Sequence, residues 1–373
     1  MYDSLKEQPP INLERCCENV LEHIQLITTM TTKEKILSFF QSSSKWLEIE
    51  HEHYGKTTAT CIAAENGHLD CLKYAHKNFC PWGNGTTAAA AKTGNIECLK
   101  YARENGCPWD DNTTTEASRN GHLECLSYAH GNGCIWGGLT MARAAENGHL
   151  DCLKYAHING CDWYTDSSGS DILDIYYITD VYPDIPLVTF LASSNGHLDC
   201  LKYAHENGCK WDRRTTEIAA ENGHIHCLKY AYENGCTMRS FTSDSAAAMG
   251  HIDCLIYALH NTVSDFHDRL DCVTIMAALY GQLECLIYAH KNGCPWDERT
   301  TAAAAENGHV HCLKYAYENG CPWNHEVVEV ATQKKHKDCL EYARKNRCPI
   351  NEKETILLKY RKIGIKLSYK KKF

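Results

Sequence analysis

No run of about eighteen apolar residues occurs anywhere in the 373-residue chain, so no membrane-spanning helix is expected. The first eleven residues, Met1 to Ile11, are polar and lack the apolar stretch of a secretory leader. Positive charge is also scarce outside one place. Net charge is −9, and the last fifteen residues hold seven basic side chains and no acidic one, so the remainder carries −16. An acidic body is a poor match for a phosphate backbone, which argues against nucleic acid as a partner.

Cysteine, by contrast, is plentiful at 23 residues. An odd count excludes complete intramolecular pairing. With no leader, the expected setting is cytoplasmic or nuclear, where such residues stay reduced thiols. Hydrophobic content of 43% and charged content of 23% are those of a folded chain.

The segment Asn66-Gly67-His68-Leu69-Asp70-Cys71-Leu72-Lys73-Tyr74-Ala75 recurs along the sequence. Its glycine falls at Gly67, Gly94, Gly121 and Gly148, then at Gly196, Gly223 and Gly250, and then at Gly281 and Gly308, with a period of 27 within each run. Lys335 takes the slot in a tenth, worn unit. The gap after Gly148 is 48 residues and that after Gly250 is 31. In all ten units Ala stands four before this position, Cys four after, Leu five after, Tyr seven after and Ala eight after. One structural slot is being refilled identically ten times.

Each unit reads as two helices. The first is expected to open at a Thr-Thr pair such as Thr300-Thr301, as an N-cap, and to stop at Asn-Gly. The second runs from about His309 to Glu318 with Val310, Leu313 and Tyr315-Ala316 on one apolar stripe, and Asn319-Gly320 ends it. Cys321-Pro322-Trp323 then packs under the unit. A lone helix pair cannot bury its own apolar face, so stability must come from stacking. The fold class is therefore all-α.

These residues resemble the ankyrin repeat. Ala304-Ala305-Glu306-Asn307-Gly308-His309, with Gly320 twelve residues after Gly308, matches the ankyrin register over about residues 57 to 350. Two departures stand out: Thr-Thr replaces the usual Thr-Pro-Leu-His opening, and the period is 27 rather than 33. The missing residues fall after the Trp, where ankyrin units project a β-hairpin. The resemblance thus implies a solenoid of stacked helix pairs with short loops in place of hairpins. The Cys-Leu-Lys-Tyr-Ala and Gly-Cys-Pro-Trp wording is similar to ankyrin-type proteins of giant DNA viruses of protists. It implies a monomeric, non-enzymatic protein-interaction scaffold whose partner is an unidentified protein, host proteins included.

Metal is the sharpest chemical alternative. His68, Cys71, His76 and Cys80 have the ligand types zinc prefers, and His122, Cys125, His130 and Cys134 repeat them. Their helical spacing does not place them on one face, and other units break the set with Asn95, Arg103 or Tyr232. No metal or other cofactor is expected. Ten equivalent Cys-His neighbours likewise argue against one activated thiol, so no catalytic residue is assigned. Seven of the eight tryptophans sit fifteen residues after the repeat glycine, from Trp82 to Trp323. They read as plugs between units, with base stacking as the alternative.

Ankyrin-type stacks bind along the concave side made by the first helices, and the slots that vary there are informative. Lys92, Glu116, Arg119 and Arg143 are expected to form a charged contact strip, and Met276, Leu279 and Tyr280 an apolar patch. The insertion at about 164–187 contains Tyr176 and Tyr177 and reads either as a recognition loop or as a decayed repeat half. Residues 1–54 read as a helical N-terminal cap region, with recruitment of a ubiquitin ligase as the alternative. Residues 55–350 hold the repeats. Residues 351–373 form a basic tail, either a solvated end or a nuclear-import signal.

Overall fold

The computed structural model describes residues 58–163, 186–261 and 271–351. The expected N-terminal cap, nearly all of the insertion and nearly all of the basic tail lie outside these residues. The described residues form twenty α-helices and no strand. They alternate as first and second helices of ten pairs. The first helices are α1 (Ala59–Glu65), α3 (Thr86–Lys92), α5 (Thr113–Arg119), α7 (Thr140–Glu146), α9 (Leu187–Ser194), α11 (Arg213–Glu221), α13 (Ser240–Met249), α15 (Asp271–Leu279), α17 (Glu298–Glu306) and α19 (His325–Gln333). The second helices are α2 (Leu69–Lys77), α4 (Ile96–Glu104), α6 (Leu123–Gly131), α8 (Leu150–Ile158), α10 (Leu198–Glu206), α12 (Ile225–Glu233), α14 (Ile252–Asn261), α16 (Leu283–Lys291), α18 (Val310–Glu318) and α20 (Lys337–Lys345). Leu187, counted with the insertion in the sequence, opens α9.

The chain divides into two compact units, one holding the pairs α1–α2 to α7–α8 and most of α9–α10, the other holding the pairs from α11 onward. In the first unit α1, α3, α5 and α7 pack in succession, and in the second unit α11, α13, α15, α17 and α19 do the same. Their contacts are closer than those between successive second helices. Alanine is the reason. Ala63, Ala64, Ala90, Ala91, Ala304 and Ala305 are all fully buried, and a methyl side chain lets backbones approach.

Behind this alanine layer lie the larger side chains. Leu72, Leu99, Leu126, Leu153 and Leu201 in the first unit are fully buried, as are Leu228, Leu255, Leu286 and Leu313 in the second. Burying each contributes about 1.5–3 kcal/mol. Leu340 of the last pair is only half-buried.

Thr58 caps α1, its side chain accepting from the Cys61 N–H at 3.3 Å, but the Thr-Thr pair that recurs in later units is not a cap. Asp212, Asp297 and Asn324 cap α11, α17 and α19, each side chain accepting from the backbone N–H two residues on at 2.8–2.9 Å. Thr300 and Thr301 lie inside α17 and are fully buried. Instead, the second Thr donates to a carbonyl 21 residues on. The bonds Thr60–Pro81, Thr189–Lys210, Thr216–Thr237, Thr274–Pro295 and Thr301–Pro322 are 2.9–3.0 Å long. It also meets the first Thr of the next pair, as in Thr87–Thr113 at 2.9 Å and Thr114–Thr140 at 3.1 Å. A cap hydroxyl would be wet. These hydroxyls satisfy buried carbonyls where units meet, a need that only the assembled core creates.

Both glycines of the unit have left-handed φ, 68° at Gly94 and 85° at Gly106, as helix C-termini require. They differ in surroundings. A Cβ on Gly94 would lie 2.5 Å from the ring nitrogen of His122 in the next pair, whereas one on Gly106 would meet nothing within 4 Å. The first glycine therefore also admits the neighbouring imidazole.

Candidate interaction surface

The variable side chains singled out in the sequence lie on or just after the first helices. Lys92 is half-exposed and reaches Glu65 of the preceding pair at 3.1 Å. Arg119 pairs with Glu116 at 3.5 Å, one turn back along α5. On α7 the order is reversed: Arg143 donates through Nη1 to Glu146 Oε2 at 2.8 Å. Three of the four residues expected in the charged strip are thus at least partly accessible. Arg143 is not, with 4% of its surface exposed. Its slot, five before the repeat glycine, is also that of the partly accessible Glu116 and the half-buried Met276, so the burial is particular to α7.

In the second unit Met276 and Leu279 are half-buried and Tyr280 is 48% exposed. The structure adds Phe241 and Met249 to the exposed apolar side chains of these first helices. Met249 and Tyr280 occupy the slot just before the repeat glycine, which Asn holds in most units. That exchange of Asn for a large apolar side chain was visible in the sequence. Tyr176 and Tyr177 lie outside the described residues.

A different arrangement runs along the second helices. His130 stacks on Trp136 of its own pair, ring centroids 4.2 Å apart, and its Nδ1 lies 3.3 Å from Tyr155 Oη of the next pair. Trp136 meets the Tyr155 ring edge-on, and its Nε1–H donates to Asn159 O at 3.3 Å. The same His–Trp–Tyr set recurs as His76–Trp82–Tyr101, His157–Trp163–Tyr203 and, in the second unit, His290–Trp296–Tyr315. Where Tyr317 replaces the imidazole it still stacks on Trp323, and Tyr342 turns its hydroxyl to Glu318 at 3.1 Å. Burial and that carboxylate push Tyr342 up to about 12.

Half-buried tryptophans therefore bridge successive pairs, and Trp82, Trp109, Trp136 and Trp163 also donate to an Asn carbonyl of the next pair. One face of each Trp in these sets is covered by its own unit's imidazole or phenol, which leaves little room to stack a base. The same contacts engage one histidine of each zinc-like quartet: His76 and His130 are held by a Trp and a Tyr. His122, from the other end of its quartet, sits against Gly94. Among the described residues no three His, Cys, Asp or Glu side chains converge as a metal site needs.

The cysteines line the interior. Of the 21 that are described, all but Cys272 are buried, and all are free thiols. Burial pushes Cys80, Cys125 and Cys285 up to about 11 and Cys107, Cys209 and Cys348 up to about 12. An activated nucleophile requires the opposite shift.

A shallow depression of about 610 Å³ lies on the second helices of the second unit, lined by Ile225, Lys229, Asp253, Ile256, Tyr257 and neighbouring histidines. No described helix is long and apolar enough to cross a membrane.

Paired short helices, left-handed glycines twelve residues apart and stacked first helices define an ankyrin-like repeat protein. No family model and no curated protein matches the sequence. Among solved structures the chain is similar to the ankyrin repeat domain of human ASB11, seen in a crystal structure. The match has 19% identity and a TM-score of 0.42, and it covers 54% of this chain and 96% of that one.

Proposed function

We propose that the chain is a protein-interaction scaffold that takes a partner protein along the face made by its first helices. One observation carries this reading: the Ala, Cys and Leu shared by every unit are almost all buried and the shared Tyr half-buried, while slots that change from unit to unit include exposed ones. Lys92, Glu116 and Arg119 form the charged part of the contact, and Met276, Leu279 and Tyr280 the apolar part. The insertion at 164–187, with Tyr176 and Tyr177, forms a second contact in place of the hairpins that a 27-residue unit has no room for.

The test is affinity purification of the full chain from cells of its source, with quantitative mass spectrometry. Proteins enriched by the wild type are expected to fall at least several-fold with Lys92→Glu/Arg119→Glu or with Leu279→Asp/Tyr280→Asp. An unchanged set at unchanged abundance with both folded variants would sink the reading.

A further inference from the structure

The buried Arg143 on α7 has a feature that the repeat does not require. Its Nη1 donates to Glu146, but neither Nε nor Nη2 has a hydrogen-bond acceptor among the described residues. Nε and Nη2 form one edge of the guanidinium, the edge that holds a carboxylate with two parallel bonds. Elsewhere in this protein the same edge holds a carboxylate by forking onto one oxygen: Arg214 donates to Asp212 Oδ2 through Nε at 2.8 Å and Nη2 at 2.6 Å. Arg299 closes the same edge on Asp297 at 2.8 and 2.7 Å.

Leaving such donors unmet in the interior is costly, more so for a charged group. Most other units avoid the cost with apolar residues such as Ile62, Leu191, Met276 or Val330, while Glu116 in the same slot is partly accessible. Two more donors on the preceding first helix α5 share the condition: Arg119 Nε and Ser118 Oγ are buried and have no partner. Two successive first helices thus hold four unmet donor atoms.

We propose that the α5–α7 surface is a carboxylate-docking site, at which an Asp or Glu side chain of an acidic partner segment closes on the Nε/Nη2 edge of Arg143. Arg119 Nε and Ser118 Oγ on the adjoining helix α5 are further unmet donors. Glu146, the partner of Arg143 Nη1, is 26% exposed and moves aside to admit the acidic group. This site rests on the interaction-scaffold reading and gives its partner a chemistry.

A fluorescent hexaglutamate peptide titrated into the full chain at low salt is the direct test, with hexaglutamine as the neutral control. Hexaglutamate is expected to bind, and Arg143→Met and Arg143→Lys to weaken it about tenfold, since Lys keeps the charge but not the two-donor edge. Arg143→Met restores a side chain the slot already accepts in Met276, so it is expected to melt no lower than wild type. Absence of hexaglutamate binding, or equal binding by both variants, would overturn the site. A partner captured from cells that is lost with Leu279→Asp but retained by Arg143→Met would also overturn it, while leaving the scaffold reading in place.

Discussion

Gly94 and Gly106 look equivalent in the sequence and are not equivalent in the fold. Both need φ near 70–85°, which costs a residue with a Cβ about 1–2 kcal/mol. Only Gly94 also admits an imidazole from the next pair. Gly106→Ala is therefore expected to destabilise by about 1 kcal/mol, and Gly94→Ala by clearly more; urea denaturation of the two variants checks the order. The threonine at position 216 makes a second residue-scale case. Thr216→Val removes bonds to Arg213 O and Thr237 O, 2.8 and 3.0 Å long, and strands a buried carbonyl at about 1–3 kcal/mol. The last unit tolerates Val328 in that slot, so the loss should come from the unmet carbonyl rather than from shape. Equal stability of Thr216→Val and wild type would refute this account of the hydroxyl.

At the scale of the helix, the terminations show where the repeat has worn. Phe79, Lys335 and Arg347 hold left-handed φ of 62°, 65° and 61° in slots where other units place glycine. Phe79 is also 78% exposed, so its ring returns little for the strain. Phe79→Gly and Lys335→Gly are each expected to stabilise by about 1 kcal/mol, read as a higher urea midpoint at unchanged slope. The second helices are joined differently, through rings rather than glycines. Where His, Trp and Tyr occur together, as in His130–Trp136–Tyr155, they tie a pair to the next by both stacking and hydrogen bonds, which explains why Trp recurs where plain bulk, as in Met238, also fits.

For the whole molecule the buried thiols set the response to alkali. In the fold Cys98 lies at about 11 and Cys227, Cys236 and Cys321 at about 12, above the ordinary value of 9.0. Above pH 9 the unfolded chain loses thiol protons that the folded chain keeps, so unfolding is favoured by ionisation. Stability is thus fully present below pH 9 and falls as pH rises towards 11–12. Because many thiols act together, the fall should be steep. Chemical denaturation between pH 8 and 11 checks the sign, and a stability that rose across this window would contradict it. The same burial predicts that thiol reagents near pH 8 label the described cysteines, Cys272 aside, only after denaturant is added.

Periodicity alone determined the helix pairs, their Asn-Gly ends and the slots for Ala, Cys, Leu and Tyr, because a repeat that buries its apolar face on copies of itself must write the same contacts each time. It also located most of the variable face, since Lys92, Arg119 and Tyr280 differ where the frame does not. What it could not show depends on contacts between units. The Thr pair resembles a cap until neighbouring pairs enclose it, and a histidine resembles a ligand until a Trp and a Tyr from two pairs occupy it. Arg143 resembles a surface charge until packing around α7 buries it and leaves one edge of its guanidinium without an acceptor. Burial is a property of the assembled units, and it decides which polar groups are satisfied and which are left without an acceptor.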